Sequence, residues 1–536
     1  MSKKKDVNLQ KKYDAIVIGG GHNGLVNGAY LAKAGLKTLI LERRHLVGGA
    51  AITEELYPGF SFTTFSYALS LIRPDIVQEL ELVKHGMMVL NMPTSFAPME
   101  NGDYLYMGAD HYANYHAIAR HSKADAEAYD DYKTMLNKVC QAIKPLFDQI
   151  PPDLFSEDPK EVARLVEIGR YLRTVDKKTI HMLTRFLTGS SAEILDDYFE
   201  SDIVKGLFSS SSIIGSKVGP RSQGSGLVLL FHKMGEVDGA FGDWGFHKGG
   251  NGGFTQVLAR SAQAFGADIK LNAGVSEVIT KNGEAIGVAL ENGDEIYADT
   301  IVSSLDPRRT LLQLVEPREL PTDLVENIQN YKFQGVSAKV NFALDALPEY
   351  PALPGRENDI YRGFINIGPS IDYIERAFDD AKYGTFSRRP YIDGCIQSTL
   401  DPDMTPPGKH VMSCFVQYAP YQLKDSDWDT ESANLGDAVQ ATLKEFFPSF
   451  DDLVLHREVV TPLDIERTVG LSEGNIFAGE FLAPQMYFFR PAPGWNQYRT
   501  PIKGYYQCGS GTHPGGCVIG GPGKLASQQI LGDLQQ

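Results

Sequence analysis

Two glycine-rich strings stand at opposite ends of this chain, and each follows a short apolar run. Near the N-terminus Ala15-Ile16-Val17-Ile18 leads into Gly19-Gly20-Gly21-His22-Asn23-Gly24. Near the C-terminus Tyr505-Tyr506-Gln507-Cys508 leads into Gly509-Ser510-Gly511-Thr512-His513-Pro514-Gly515-Gly516. A continuous apolar run without alternation is what a parallel strand covered on both faces requires. Glycines directly after such a strand permit a tight turn, a close backbone approach to a ligand, and close packing of the following helix. Two turns of this kind, this far apart, point to an α/β architecture in which distant segments close around one long ligand.

The N-terminal unit is the better defined. Gly19-x-Gly21-x-x-Gly24 is followed by a helix over 25–34 that stops at Gly35, and by a second strand over 37–41 that delivers Glu42. The helix start offers free N–H groups and a positive dipole end to phosphates. Glu42 stands where a carboxylate accepts hydrogen bonds from an adenosine ribose. Further on, Gly249-Gly250-Asn251-Gly252-Gly253 opens a helix over 254–265, and short strands follow over 268–271, 275–281, 285–290 and 295–298. Asn282-Gly283 and Asn292-Gly293 are hairpin signals between them. A buried strand over 300–304, carrying Ser303, ends at Asp306-Pro307, and a last helix spans 524–534. A ligand gripped at both ends of the chain is a long dinucleotide, and FAD is the long one. A stand-alone nicotinamide site needs only the first turn.

Bulk properties narrow the classes. A chain of 536 residues is expected to hold more than one domain. Its net charge of −16 disfavours nucleic acid, which needs clustered Lys and Arg. The basic run Lys3-Lys4-Lys5 with Lys11-Lys12 reads as a solvated tail. Five scattered cysteines without C-x-x-C spacing fit a reducing compartment and offer no zinc or dithiol site. No metal is expected. No apolar stretch approaches the ~20 residues of a spanning helix. The expected location is the cytoplasm, with peripheral membrane contact as an alternative, or the mitochondrial matrix in a eukaryote.

The string Gly-x-Gly-Thr-His-Pro-Gly-Gly at 509–516 resembles the carotenoid/phytoene desaturase-like FAD-dependent oxidoreductases. Gly21-His22-Asn23-Gly24-Leu25-Val26, Ser303-Ser304-Leu305-Asp306-Pro307-Arg308-Arg309 and Gln497-Tyr498-Arg499-Thr500-Pro501-Ile502-Lys503 are similar to one sub-branch. It holds monomer-type beta-carotene ketolases and the pyridine nucleotide-disulfide oxidoreductase domain-containing protein 2 group. The resemblance spans about 13–531. It implies a Rossmann-like FAD-binding domain of the two-dinucleotide-binding-motif type, built from 13–55, 248–310 and 500–536. An inserted mixed α+β substrate domain would occupy 56–247 and 311–499, with a helical portion. FAD contacts would come from Gly19, Gly21, Asn23, Gly24, Glu42, Arg43, Gly48, Gly49, Ala50, Val275 and Ser303, and from Gly509, Gly511, Thr512, Gly515 and Gly516. Arg43 would stack near the adenosine, Gly48-Gly49 would touch pyrophosphate and ribityl, and the Val275 backbone would pair with adenine. Ser304 and Cys517 depart from the pattern, standing where Asn and a further glycine are usual.

The implied activity is oxidation of a small lipophilic, isoprenoid- or polyene-like substrate by hydride transfer to flavin N5. The electron acceptor is open between oxygen and a quinone, and the sequence leaves the oligomeric state open. Two alternatives stand beside it: a flavin amine oxidase, and a flavin-loaded regulatory or interaction protein with little turnover. For proton handling His513 is the first candidate, inside the loop that should face the ring, with Tyr498 and Arg499 behind it; His513 equally suits holding the loop. The aromatic stretch 481–491, with 69–74, reads either as a substrate tunnel or as core. Arg73 and Arg490 read as substrate anchors or as structural charges.

Overall fold

The computed structural model describes residues 13–237 and 240–535, so the basic run at Lys3-Lys4-Lys5 and Lys11-Lys12 lies outside the described residues. Its centre is a parallel five-stranded sheet in the order Asp268–Lys270, Thr38–Leu41, Ala15–Ile18, Thr300–Ser303, Tyr505–Gln507. Ala15–Ile18 is buried along its whole length, as its unbroken apolar run requires. Its alternate side chains feed two cores. Ala15 and Val17 join Leu25, Val26 and Phe254 under the helices His22–Lys33 and Gly250–Ala264. Ile16 and Ile18 join Val278 and Val288 of the antiparallel meander on the other face. Ile18 pairs with both Leu41 and Ser303, so the loops that leave these three strands open side by side.

The meander consists of Val275–Lys281, Glu284–Leu290 and Glu295–Tyr297. Asn282 and Gly283 both take positive φ, 55° and 78°, which the two-residue turn demands. The helix expected over 25–34 starts earlier, at His22, because Gly21 serves as its N-cap. The last helix likewise begins at Gly521, ahead of the expected 524.

A seven-stranded sheet forms the second layer, in the order Val454–Val460, Ser337–Leu344, His410–Gln417, Tyr391–Ile396, Phe364–Ile367, Ser95–Pro98, Tyr104–Met107. Only the pairing of Phe364–Ile367 with Ser95–Pro98 is parallel. Helices Ile371–Lys382 and Trp428–Phe446 cover one face of it. A helical cluster, chiefly Lys123–Phe147, Lys177–Thr188 and Ser225–His232, closes the chamber beside it. Among the described residues no helix is long and apolar enough to cross a membrane.

Candidate active site

The chain's two glycine strings meet in space. Asn23 Nδ2 donates to Ser510 Oγ at 3.1 Å, bridging residues 487 positions apart, and Asn27 Nδ2 donates to the Gly523 carbonyl at 3.0 Å. A Cβ on Gly523 would meet the Asn23 carbonyl oxygen at 2.3 Å, so the first and last helices cross where only glycine fits. The first helical bond of His22–Lys33 is donated by Leu25 N–H to the Gly21 carbonyl, which leaves the earlier N–H groups facing out of the helix end.

From this junction a cavity of about 900 Å³ runs into the molecule. Its outer end is walled by Gly19, Gly21, Asn23, Gly24, Glu42, Arg43, Gly48, Gly49, Ala50 and Val275. These are residues that the sequence assigns to cofactor binding. A Cβ at Gly21 would meet no protein atom within 4 Å, so this glycine opens on the cavity. A Cβ at Gly24 would lie 2.0 Å from the Gly19 carbonyl oxygen, so this one closes the turn. The Gly48 N–H donates to the Gly20 carbonyl at 2.9 Å and docks the second glycine pair on the first. Glu42 spends part of its carboxylate on the protein: Oε2 accepts from Gly20 N–H at 2.9 Å and Oε1 from Arg44 N–H at 2.8 Å. Each oxygen keeps a lone pair for a ribose. Buried atoms at this end without a hydrogen-bond partner include Asn23 Oδ1 and Arg44 Nη1. Open glycine backbone, free helix N–H groups, an acid at the strand end and spare donors together fit FAD.

Other assigned residues sit one layer back. Ser303 is fully buried and its hydroxyl pairs with Thr310 Oγ1 at 2.8 Å. Its neighbour Ser304 reaches the cavity wall and donates to the Ile18 and Gly19 carbonyls, both at 2.9 Å. Gly509 and Gly511 pack on Ser304, Leu305 and Pro307, while Gly515 and Gly516 pack on Phe481 and Phe477. Thr512 Oγ1 donates to the Gly509 carbonyl at 2.8 Å. The C-terminal loop touches the cavity through Ser510, Cys517 and Val518.

The three residues that the sequence offers for proton handling are not among the cavity lining. His513 is fully buried, its Nε2 3.2 Å from the Leu146 carbonyl and its ring between Phe147 and Tyr487. Burial pushes its pKa down to about 3, so the ring is neutral. Tyr498 donates to the His513 carbonyl at 2.9 Å, and Arg499 forms an ion pair with Asp533 on the last helix. His513 and Tyr498 brace the loop, and Arg499 ties the segment before the last strand to the last helix. Arg490 does similar work: its guanidinium donates to the carbonyls of Phe477 at 2.7 Å and Ser510 at 2.8 Å. Arg73 pairs with Asp148 at 2.7 Å. Of the two stretches read as tunnel or core, only Ser70 and Leu71 reach the cavity.

The inner end of the cavity holds groups that sequence reasoning missed. Tyr129, Tyr132, Leu136, Leu207 and Phe208 contribute most of its apolar surface, beside the polar Asn114, Lys133 and Asn137. Facing them are Tyr67, Lys233, Lys339, Asn366 and Asp393, drawn from five separate segments. Asp393 Oδ2 accepts from Tyr67 OH at 2.8 Å and Oδ1 from Asn366 Nδ2 at 3.1 Å. Burial pushes its carboxyl up to about 7 and the Lys339 ammonium down to about 7. His22 and His232 also border the cavity, each lowered to about 4 by burial, and His232 Nε2 stands 3.9 Å from Cys517 Sγ. The available signal was local: Lys339 and Asp393 each interrupt a strand that is otherwise buried and mostly apolar.

A nucleotide groove that continues into a chamber of mixed apolar and polar lining under a second sheet defines a flavoprotein oxidoreductase with an inserted substrate domain, FAD being its cofactor. The chain belongs to the flavin-containing amine oxidoreductase family, which matches residues 24–531. It is 38% identical to the rat pyridine nucleotide-disulfide oxidoreductase domain-containing protein 2, over 98% of this chain and 94% of that one. It is 27% identical to a subunit of limonene dehydrogenase from Castellaniella defragrans, over 98% and 95% of the two chains. A lycopene-forming phytoene desaturase from a Paracoccus species is 24% identical over 97% of this chain and 97% of its own, in line with the desaturase-like branch.

Proposed function

We propose that this flavoprotein dehydrogenates a lipophilic, isoprenoid- or polyene-like substrate and passes the electrons to oxygen or a quinone. The observation that carries the reading is the continuity of the cavity. One space of about 900 Å³ joins the glycine turns to a pocket walled by Tyr129, Tyr132, Leu136, Leu207 and Phe208. Such a wall binds apolar ligands by excluding water from them. When bound, FAD would supply the hydride acceptor. The chain's own share is to hold and orient the substrate, to keep water out, and to place neutral imidazoles and a near-neutral Asp393 within the same walls. Two relatives whose names specify limonene and lycopene formation support an apolar substrate.

The amine oxidase alternative is disfavoured by charge. An ammonium substrate would enter a chamber that already holds Lys233 and Lys339. The test offers purified holoprotein a monoterpene, a C40 polyene and benzylamine in turn, with mass spectrometry of the products. Loss of two hydrogens from a hydrocarbon supports the proposal. Conversion of benzylamine alone to its aldehyde would overturn it.

A further inference from the structure

Two lysines at the inner end of the chamber lack a carboxylate of their own. Lys339 rises from the centre of the fully buried strand Ser337–Leu344 and is 3% exposed. Its Nζ has no hydrogen-bond partner and lies 4.0 Å from the centre of the Tyr67 ring. Lys233 stands at the C-cap of Ser225–His232, where the helix dipole favours a cation, and it too borders the cavity. No ion pair joins either lysine to an acid among the described residues. Asp393, the acid whose charge both lysines feel, accepts from Tyr67 and Asn366 and makes no contact ion pair with either lysine. The other acids nearby are also placed elsewhere: Asp243 is exposed, and Glu458 accepts from Asn341 Nδ2 at 3.1 Å.

Burying an ammonium without an anion is costly, and natural sites compensate it. The titration directions agree with the geometry. Burial depresses both lysines and raises Asp393, whereas a contact ion pair would move each of them the other way. The wall therefore carries two lysines against one acid, and neither lysine has a contact carboxylate among the described residues.

We propose that this inner end is a binding site for the carboxylate of a long apolar monocarboxylic acid, with Lys339 and Lys233 as its counter-charges. The proposal rests on the lipophilic-substrate reading and narrows it to substrates that end in an acid. Tyr67 and Asn366 each donate to Asp393 on the same wall, which spreads its charge beside the two lysines.

Oleate, oleyl alcohol and methyl oleate serve as probes, each kept below its aggregation limit and measured against holoprotein by equilibrium dialysis. Oleate is expected to bind about tenfold or more tightly than the alcohol or ester, the size of one charge-assisted hydrogen bond. Lys339→Met and Lys233→Met should each remove most of that preference while leaving oleyl alcohol binding in place, and Lys339→Arg should restore part of it. Equal binding of acid and alcohol by the wild type, or an undiminished preference in both Met variants, would overturn the carboxylate site alone. Binding of none of the three probes would overturn it together with the lipophilic reading. Flavin content and melting temperature are checked first; if Lys339→Met is damaged, Lys233→Met at its helix end decides.

Discussion

Replacing Gly21 and Gly24 by alanine, one at a time, separates what the first turn does for its ligand from what it does for the protein. A methyl group at Gly21 meets no protein atom within 4 Å, so Gly21→Ala leaves the packing of the apoprotein intact. The same group at Gly24 would stand 2.0 Å from the Gly19 carbonyl oxygen and 3.0 Å from Ser304 Oγ. A relaxed carbon–oxygen contact is roughly 3.3–3.6 Å, so the turn would have to move by more than ~1 Å. Overpacking of that kind costs about 1–3 kcal/mol. In Gly24→Ala the cost falls on folding and on FAD together. In Gly21→Ala it falls on the bound dinucleotide alone, a loss of about 5- to 150-fold in affinity. The assay is quenching of flavin fluorescence on titrating apoprotein, paired with apoprotein melting. A Gly21→Ala protein that melts normally and binds FAD as tightly as wild type would refute the reasoning, because the cofactor would then not approach this turn.

Arg490→Met removes donors from the Phe477 and Ser510 carbonyls and should cost on the order of 3 kcal/mol, seen as a clear drop in denaturation midpoint; an unchanged midpoint would contradict the bracing role. His513→Gln should lower stability while leaving the shape of the pH–rate profile alone, since burial keeps the ring neutral; loss of an ionisation in the usual histidine range would contradict this. Lys339 has its folded pKa depressed to about 7 against an ordinary 10.5, so between these values the unfolded chain binds more protons. Wild-type apoprotein should therefore gain stability relative to Lys339→Met as pH rises from about 7 to 10, by at most ~1.4 kcal/mol per pH unit. A stability difference that stays flat across this range would count against a buried, unpaired ammonium.

The nucleotide end was legible because its physics is local. The strand Ala15–Ile18, the glycine spacing after it and the acid at Glu42 lie within one short stretch, and the fold uses them together. The Asn282-Gly283 turn was legible for the same reason, since positive φ at both positions selects those residues. The C-terminal loop shows a packing demand that the sequence reading did not foresee. Its glycines read as open to a flat ligand, yet Gly509, Gly511, Gly515 and Gly516 are needed where the loop packs on Pro307, Phe477 and Phe481. His513 likewise turns toward the Leu146 carbonyl. The inner chamber was illegible as a site because Tyr67, Lys233, Lys339, Asn366 and Asp393 meet only through the seven-stranded sheet and the helix that ends beside it. The charge inside each buried strand was the trace left in the sequence.

The most direct test of the central claim is anaerobic reduction of the protein-bound flavin, with a cellular lipid extract and NAD(P)H offered separately. The account predicts bleaching of the flavin absorbance by the lipid fraction alone. Bleaching by NAD(P)H and not by lipid would contradict it.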